Sequence, residues 1–255
     1  MTEHDQPAQA LRDLQERLSR GSDAEREEAV ARRRAKGFRT ARENLHDLLD
    51  DATFVEYGGL AVAAQRGRRS YEELQRETPA DGVITGIGSV NSSFVDPRRA
   101  RTAVVVYDYS VLAGTQGHFH HAKIDRLLEI AARQQLPTVM FTEGGGGRPG
   151  DTDVTTQIAG LNVSTFTRWA SLNGTMPRIA VNNGYCFAGN AALFGSADLR
   201  IATRSSNIGM AGPAMIEGGG LGSFAPKEIG PADVQYRNGL IDCLVEDEAA
   251  ATAMA

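Results

Sequence analysis

The amino-terminal residues have the hydrophobic periodicity of helices. Residues 8–36 combine a face of leucines with dense alternating charge, which predicts a solvated helical arm. A second helix is predicted where Thr40 and Glu43 form a capping box ahead of helically spaced leucines. Residues 58–79 are polar and predict a mobile loop that includes one turn of helix.

From Asp81 onward, short apolar runs alternate with amphipathic segments. This alternation is typical of βα units, and a near-continuous apolar run such as Ala103–Val106 indicates a strand buried on both faces. The predicted strands are residues 82–90, 102–107, 138–142, 178–181 and 199–202. The predicted helices are residues 120–135, 151–172 and 188–195. The pattern therefore predicts an α/β fold.

Composition narrows the class of protein. The chain has 255 residues, 41% of them hydrophobic, and a formal net charge of −5, so it can bury its own core and is unsuited to broad nucleic-acid binding. Its two cysteines are too few and too far apart for a disulfide framework or a zinc ribbon. No stretch approaches the ~20 apolar residues of a membrane span, and the amino terminus lacks the apolar core of a signal peptide. We expect a cytoplasmic protein without membrane association.

Glycines mark the region where chemistry is expected. Sixteen of the 28 glycines fall between Gly144 and Gly222. The run Gly144–Gly147 follows a predicted strand and precedes a predicted helix, an order that exposes backbone N–H groups where negative charge is favoured. A flexible surface loop is the alternative explanation for this run.

A second glycine turn, at residues 184–191, repeats the order of strand, turn and helix. Two turns that converge would hold one oxygen between two N–H groups, the minimum device for stabilising an enolate or a tetrahedral oxyanion. One such donor contributes roughly 3 to 4 kcal/mol of barrier lowering. The alternative is tight packing of a helix on a strand, which also requires small residues such as Ala188 and Gly189.

The residues of the second turn carry a family resemblance. The segment Asn183–Ala191, with Ser196–Asp198, Ile208–Met210 and Gly212–Pro213 after it, resembles the crotonase superfamily. Within that superfamily it is most similar to the carboxyltransferase components of biotin-dependent acyl-CoA carboxylases. Matching segments extend in consistent order over residues 36–250. They include Asp81–Gly86, Val111–Gly117, Glu143–Arg148, Pro226–Pro231 and Asn238–Asp242.

The resemblance implies a crotonase-like superhelix of stacked ββα turns over residues 38–255, preceded by the helical arm at residues 1–37. It implies that Gly145 and Gly146 on the first turn and Gly189 on the second hold the oxyanion. The residues expected to contact acyl-CoA are Gly114, Gln116, Gly117, Lys123, Arg148 and Ala188. The first turn usually reads Asp-Ser-Gly-Gly-Ala-Arg in the family, so this chain departs from the pattern with Glu143 and Gly144.

Two positions where relatives carry acid-base glutamates hold alanine. Enoyl-CoA hydratases have one glutamate three residues after the glycine of the second turn and another after a later Gly-x-Pro stretch, whereas this chain has Ala192 and Ala214. Water addition would therefore lack a proton carrier. In the chemistry of the carboxyltransferases, carboxybiotin on a partner carrier protein supplies both the carboxyl group and the base, so the enzyme needs only to hold two oxyanions. The alternatives are a biotin-independent malonyl-thioester decarboxylase subunit and a non-catalytic assembly module.

Family members of this kind usually contain two homologous halves, the first for CoA and the second for biotin. This sequence matches only the first half. We therefore expect a homo- or hetero-oligomer that acts with a second carboxyltransferase half, a biotin carboxylase and a biotin carrier protein, and that exposes an apolar face to its partner.

Other reactive side chains have simpler interpretations. Three neighbouring histidines lack cysteines or carboxylates at ligand spacing, so no metal site is predicted; they are His118, His120 and His121. A basic cluster either meets the CoA phosphates or remains solvated; it consists of Arg66, Arg68 and Arg69. Cys186 has apolar neighbours and is interpreted as a packing residue.

Overall fold

The computed structural model describes residues 5–154 and 163–255. Its strands are β1 (Val55–Tyr57), β2 (Val83–Ser89), β3 (Arg101–Tyr107), β4 (Thr138–Phe141), β5 (Arg178–Asn182), β6 (Tyr185–Phe187), β7 (Leu199–Thr203), β8 (Asn207–Gly209) and β9 (Cys243–Val245). The central sheet has the order β1-β2-β3-β4-β5-β7-β9 and is antiparallel from β1 to β3 and parallel from β3 to β9. β6 leaves this sheet directly after β5 and pairs in parallel with β8.

Helices cover both faces of the central sheet. They are α1 (Asp5–Ser19), α2 (Glu27–Arg34), α3 (Ala41–Leu48), α4 (Tyr71–Glu77), α5 (Pro97–Ala100), α6 (His118–Gln134), α7 (Thr165–Ser171), α8 (Gly189–Gly195), α9 (Pro213–Gly218), α10 (Ala232–Arg237) and α11 (Glu248–Met254). Val105 and Met140 belong to the apolar core formed with α6, α7 and α8, whereas Val104 and Val139 belong to the core formed with α3 and α11. Alternate residues of β3 and β4 thus face opposite cores.

The predicted α/β fold is confirmed. Each predicted strand is present within one residue at either end, and the helices predicted at 120–135 and 188–195 are α6 and α8. The helix predicted from Asp151 is wrong at its start, because residues 151–154 are not helical and the N–H groups of Thr152 and Asp153 both donate to the Ala64 carbonyl. Later in the predicted range, α7 is helical. Residues 155–162 of that prediction lie outside the described ranges. Strands β1, β6, β8 and β9 were not predicted.

The amino-terminal arm contains two helices with different surroundings. The prediction of a solvated arm fits α1, where Leu11 is 55% exposed. It is wrong for α2, because Arg26 beside that helix pairs with Asp108 at 2.6 Å and Arg33 within it is buried against Glu143. α2 therefore packs on the residues that follow β3 and β4. None of the helices in the two described ranges has both the length and the hydropathy to cross a bilayer.

Candidate active site

The two glycine turns lie against each other. The first leaves the carboxyl end of β4, and the second, at residues 184–191, contains β6 and runs into α8. Gly144 donates its N–H to the Tyr185 carbonyl at 2.7 Å, and its own carbonyl accepts from the Phe187 N–H at 2.9 Å. Further along, a Cβ atom added to Gly146 would lie 2.7 Å from the Cβ of Ala188. This contact between the turns is what a shared oxyanion site requires.

Two of the three N–H groups that the sequence assigned to the oxyanion are used inside the protein. Gly145 donates its N–H to the Ala113 carbonyl at 3.0 Å. Gly146 donates its N–H to Oδ1 of Asn190, also at 3.0 Å. Both groups already point at protein acceptors, so in this arrangement neither is free to donate to a substrate oxygen.

Gly147 and Gly189 each carry an N–H group that meets no acceptor within residues 5–154 and 163–255. They directly follow Gly146 and Ala188, the residues through which the two turns touch. A Cβ atom on Gly147 would meet no atom within 4 Å, which leaves open space before the first turn. The sequence contained one indication that this position is open. The family pattern has alanine where this chain has Gly147, and a position that accepts a side chain has space around it.

A carboxyl transferase domain model matches residues 32–255. The chain belongs to the carboxyl transferase domain family. The biotin-dependent long chain acyl-coenzyme A carboxylase beta4 subunit of Mycobacterium tuberculosis is 31% identical over 96% of this chain and 44% of its own length. The acetyl-coenzyme A carboxylase carboxyl transferase subunit beta 2 of Roseiflexus castenholzii is 31% identical over 80% of this chain and 68% of its own length.

A solved structure of a single-chain, multi-domain long-chain acyl-CoA carboxylase superposes on this carboxyl transferase domain with a TM-score of 0.92. The two sequences are 52% identical over the whole of this chain, which covers 24% of the larger enzyme. The chain therefore spans less than half of the mycobacterial relative and about a quarter of the solved enzyme. The family and the crotonase-like fold expected from the resemblance are confirmed.

Gln116 touches both turns of the carboxyl transferase domain. Its backbone N–H donates to the Gly146 carbonyl and its carbonyl accepts from the Arg148 N–H, both at 2.8 Å. Its side-chain Nε2 donates to the Tyr107 hydroxyl at 2.9 Å. A Cβ atom on Gly189 would lie 2.2 Å from Oε1 of Gln116. Gln116 therefore lies at the site as a spacer between the turns, and glycine is required at 189 for the helix to approach it.

Ala188 adopts a backbone conformation that alanine rarely has. Its φ of 51° and ψ of −118° lie outside the regions favoured by L-residues. Its N–H donates to the Gly209 carbonyl at 3.0 Å, which holds it in place. Strain of this kind persists only where surrounding contacts impose it, and it is concentrated at functional sites. The strained residue directly precedes the N–H of Gly189, so it sets the direction of that donor.

The side chain of Arg148 donates its hydrogen bonds to other groups of the protein. This side chain is 5% exposed. Nη1 donates to Oδ1 of Asp81 at 2.5 Å, and Nη2 donates to the Thr115 carbonyl at 2.8 Å. A substrate carboxylate or phosphate would have to displace these partners, so the predicted contact of Arg148 with an anionic substrate does not fit the geometry. The side chain instead ties the first turn to the residues ahead of β2.

Lys123 also has a structural role. Its ammonium group donates to the Ala80 carbonyl at 2.7 Å and to the Val83 carbonyl. Ala80 and Asp81 have φ values of 54° and 50°, so the ammonium group supports a left-handed turn. Burial lowers the pKa of Lys123 to about 8. The predicted contact between Lys123 and CoA is therefore not supported by its position.

Gly114 and Gly117 permit close packing. A Cβ atom on Gly114 would lie 2.4 Å from the Glu143 carbonyl oxygen, and one on Gly117 would lie 2.6 Å from Oδ2 of Asp151. Both glycines therefore bring the segment after β3 against the first turn. Both glycines lie near the site, and the neighbours of an added Cβ at each are protein atoms.

The histidines and Cys186 are also packed. His120 Nδ1 lies 3.0 Å from the Asp81 carbonyl oxygen, and His121 Nδ1 lies 2.9 Å from the Thr165 hydroxyl. Burial lowers the pKa of His121 to about 4 and raises the pKa of Cys186 to about 12. A thiol with so high a pKa is a poor nucleophile, which agrees with the interpretation of Cys186 as a packing residue.

Proposed function

We propose that this carboxyl transferase domain binds an acyl-CoA and stabilises its thioester enolate while a carboxyl group passes from carboxybiotin to the α-carbon. The observation that supports this most directly is the pair of N–H groups of Gly147 and Gly189, which stand on touching turns and have no acceptor among the described residues. Two such donors match the one oxygen on which charge develops.

The chain's own residues act on the thioester through their backbone. When the α-proton leaves, negative charge accumulates on the carbonyl oxygen, and two preorganised N–H donors stabilise that charge more than they stabilise the neutral thioester. The open space around Gly147, where an added Cβ would meet no atom within 4 Å, leaves room for the thioester to approach the donors. Carboxybiotin, when bound, supplies the carboxyl group and the base, so the alanines at 192 and 214 leave no missing proton carrier.

A second carboxyltransferase half would cover the site. Large apolar side chains follow β8, whose Gly209 carbonyl holds the second turn. They are Met210, Met215, Leu221 and Phe224, with 67%, 63%, 75% and 45% of their surface exposed. An exposed apolar group of this size is characteristic of an interaction surface. We infer that this segment packs on the biotin-binding half, and that biotin carboxylase and a biotin carrier protein complete the enzyme.

The test is to measure binding and carboxylation separately. Acyl-CoA carrying ¹³C at the thioester carbonyl is added to the chain, and the infrared stretching frequency of the bound carbonyl is compared with that in water. Two N–H donors should lower the frequency. Carboxylated acyl-CoA should form only when the partner half and carboxybiotin are also present. An unshifted carbonyl would overturn the proposal, and turnover of a malonyl thioester without biotin would favour the decarboxylase instead.

A further inference from the structure

A buried ion pair joins the amino-terminal arm to the first glycine turn. Arg33 of α2 donates to Glu143, directly before that turn, from Nη1 to Oε1 at 2.9 Å and from Nη2 to Oε2 at 2.8 Å. Arg33 is 8% exposed and Glu143 is 4% exposed. Two parallel bonds fix the carboxylate in orientation as well as in distance.

The guanidinium of Arg33 is itself held in place. Its Nε and Nη2 donate to the Arg39 carbonyl at 3.2 and 3.1 Å. It also lies over the ring of Phe38 at 4.8 Å and over the ring of Tyr109 at 5.7 Å. A guanidinium with these contacts has little freedom to move. The carboxylate that it binds is therefore fixed relative to the arm.

The Glu143 carboxylate also supports the second turn. A Cβ atom on Gly184 would lie 2.5 Å from Oε1 of Glu143, so the backbone of the second turn rests directly on this oxygen. Oε2 accepts from Nδ2 of Asn183 at 3.5 Å. The backbone of Glu143 leads into the first turn while its side chain contacts the residues that begin the second. One side chain thus meets both turns.

The charge of Glu143 depends on its partner. Burial raises the pKa of Glu143 to about 7, and Arg33 acts against that rise. Without the guanidinium, the pKa of Glu143 would rise further and the side chain would lose its fixed orientation. Glutamate stands here where the family pattern has aspartate, and the extra methylene group extends the carboxylate towards Arg33.

We propose that Arg33 and Glu143 are positioning residues that set the separation between the N–H groups of Gly147 and Gly189. The proposal rests on the proposed function, because those N–H groups are the ones assigned to the thioester. Gly147 follows Glu143 by four residues, and Gly189 follows Gly184 by five. A displacement of the carboxylate therefore moves both donors and changes the distance between them.

The first test needs no substrate. Amide hydrogen exchange is measured by mass spectrometry on the full chain, for the wild type and two variants. Arg33→Lys keeps the positive charge but cannot form the two parallel hydrogen bonds to Glu143. The double variant Arg33→Met and Glu143→Gln removes both charges together. Peptides covering both turns should exchange about tenfold faster or more in each variant, while peptides of β3 stay unchanged. Arg32→Met is the control, because that neighbouring side chain is 69% exposed. Wild-type exchange in both turns of both variants would overturn the proposal.

The second test uses the bound thioester. The Arg33→Lys variant should still bind ¹³C-labelled acyl-CoA. Its carbonyl stretching frequency should shift by less than half as much as in the wild type, whereas the Arg32→Met variant should show the full shift. A role in stability alone would lower the unfolding midpoint and leave the shift of folded, bound molecules unchanged, and that result would overturn the proposal. If the wild type itself shows no shift, the proposed function fails, whereas hydrogen exchange still decides whether the pair positions the turns.

Discussion

The backbone N–H of Gly146 and the side-chain oxygen of Asn190 lie 3.0 Å apart, so the first helical turn of α8 holds the first glycine turn. The other end of the same amide donates from Nδ2 to the Thr142 carbonyl at 3.1 Å. Asn190 is fully buried. One amide side chain therefore connects the two turns, and the N–H of Gly147 stays without an acceptor among the described residues.

Replacing Asn190 by alanine should destabilise the domain by about 1–3 kcal/mol, because the N–H of Gly146 and the carbonyl of Thr142 would both be buried without partners. Urea denaturation measures this change. Asn238→Ala is the matched control, since that asparagine is exposed at the end of α10 and should have little effect. Equal stability of the two variants would show that the amide bridge is unimportant.

Replacing Gly147 by proline should lower kcat/KM for carboxylation about 100-fold, because proline removes the N–H donor from the oxyanion site. Gly147→Ala is the control, because it keeps the N–H and adds a Cβ where no atom lies within 4 Å. Both variants are assayed with the partner half and carboxybiotin. Similar loss in both would point to steric blockage rather than to a lost donor, and full activity of the proline variant would exclude Gly147 as an oxyanion donor.

The sequence predicted the architecture, but it did not show which N–H groups are left without internal acceptors. Strand and helix positions follow from apolar periodicity, which the buried alternation of Val104 and Val105 obeys. The donors depend on which N–H groups find internal acceptors, and those acceptors are distant in sequence, such as Ala113 for Gly145. A motif shows which residues are glycine, but it does not show where each N–H points.

The same limit explains the interpretations of charged side chains. Arg148 and Lys123 lie close to the site in sequence, and both are cations suited to an anionic substrate. Their actual partners are the carboxylate of Asp81 and carbonyls at the end of the left-handed turn before β2. Periodicity gives no sign of that turn, because Ala80, which begins it, is a residue type that seldom adopts positive φ.

His121 should make the domain less stable in acid. Burial lowers its pKa from 6.5 to about 4, so the folded state resists protonation, and stability is lost as the pH falls below 6.5 towards 4. Between pH 7.5 and pH 5, this group should contribute about 2 kcal/mol of that loss. Denaturation of His121→Gln at both pH values should show a correspondingly smaller change than the wild type. His46→Gln is the control, because His46 is exposed on α3. An acid dependence of His121→Gln equal to that of the wild type would contradict the expectation.

Charge on the exposed apolar segment should prevent assembly without harming the fold. Met215 is 63% exposed on α9, so Met215→Glu should leave the unfolding midpoint nearly unchanged. It should weaken association with the second carboxyltransferase half about tenfold or more, because the carboxylate would be buried at the interface. Sedimentation of the mixed subunits measures the association. Met254→Glu is the control, because that methionine is 52% exposed on α11, far along the chain from the segment. If Met215→Glu assembles like Met254→Glu, the partner half docks on another surface, and the open space before Gly147 must be closed from a different side.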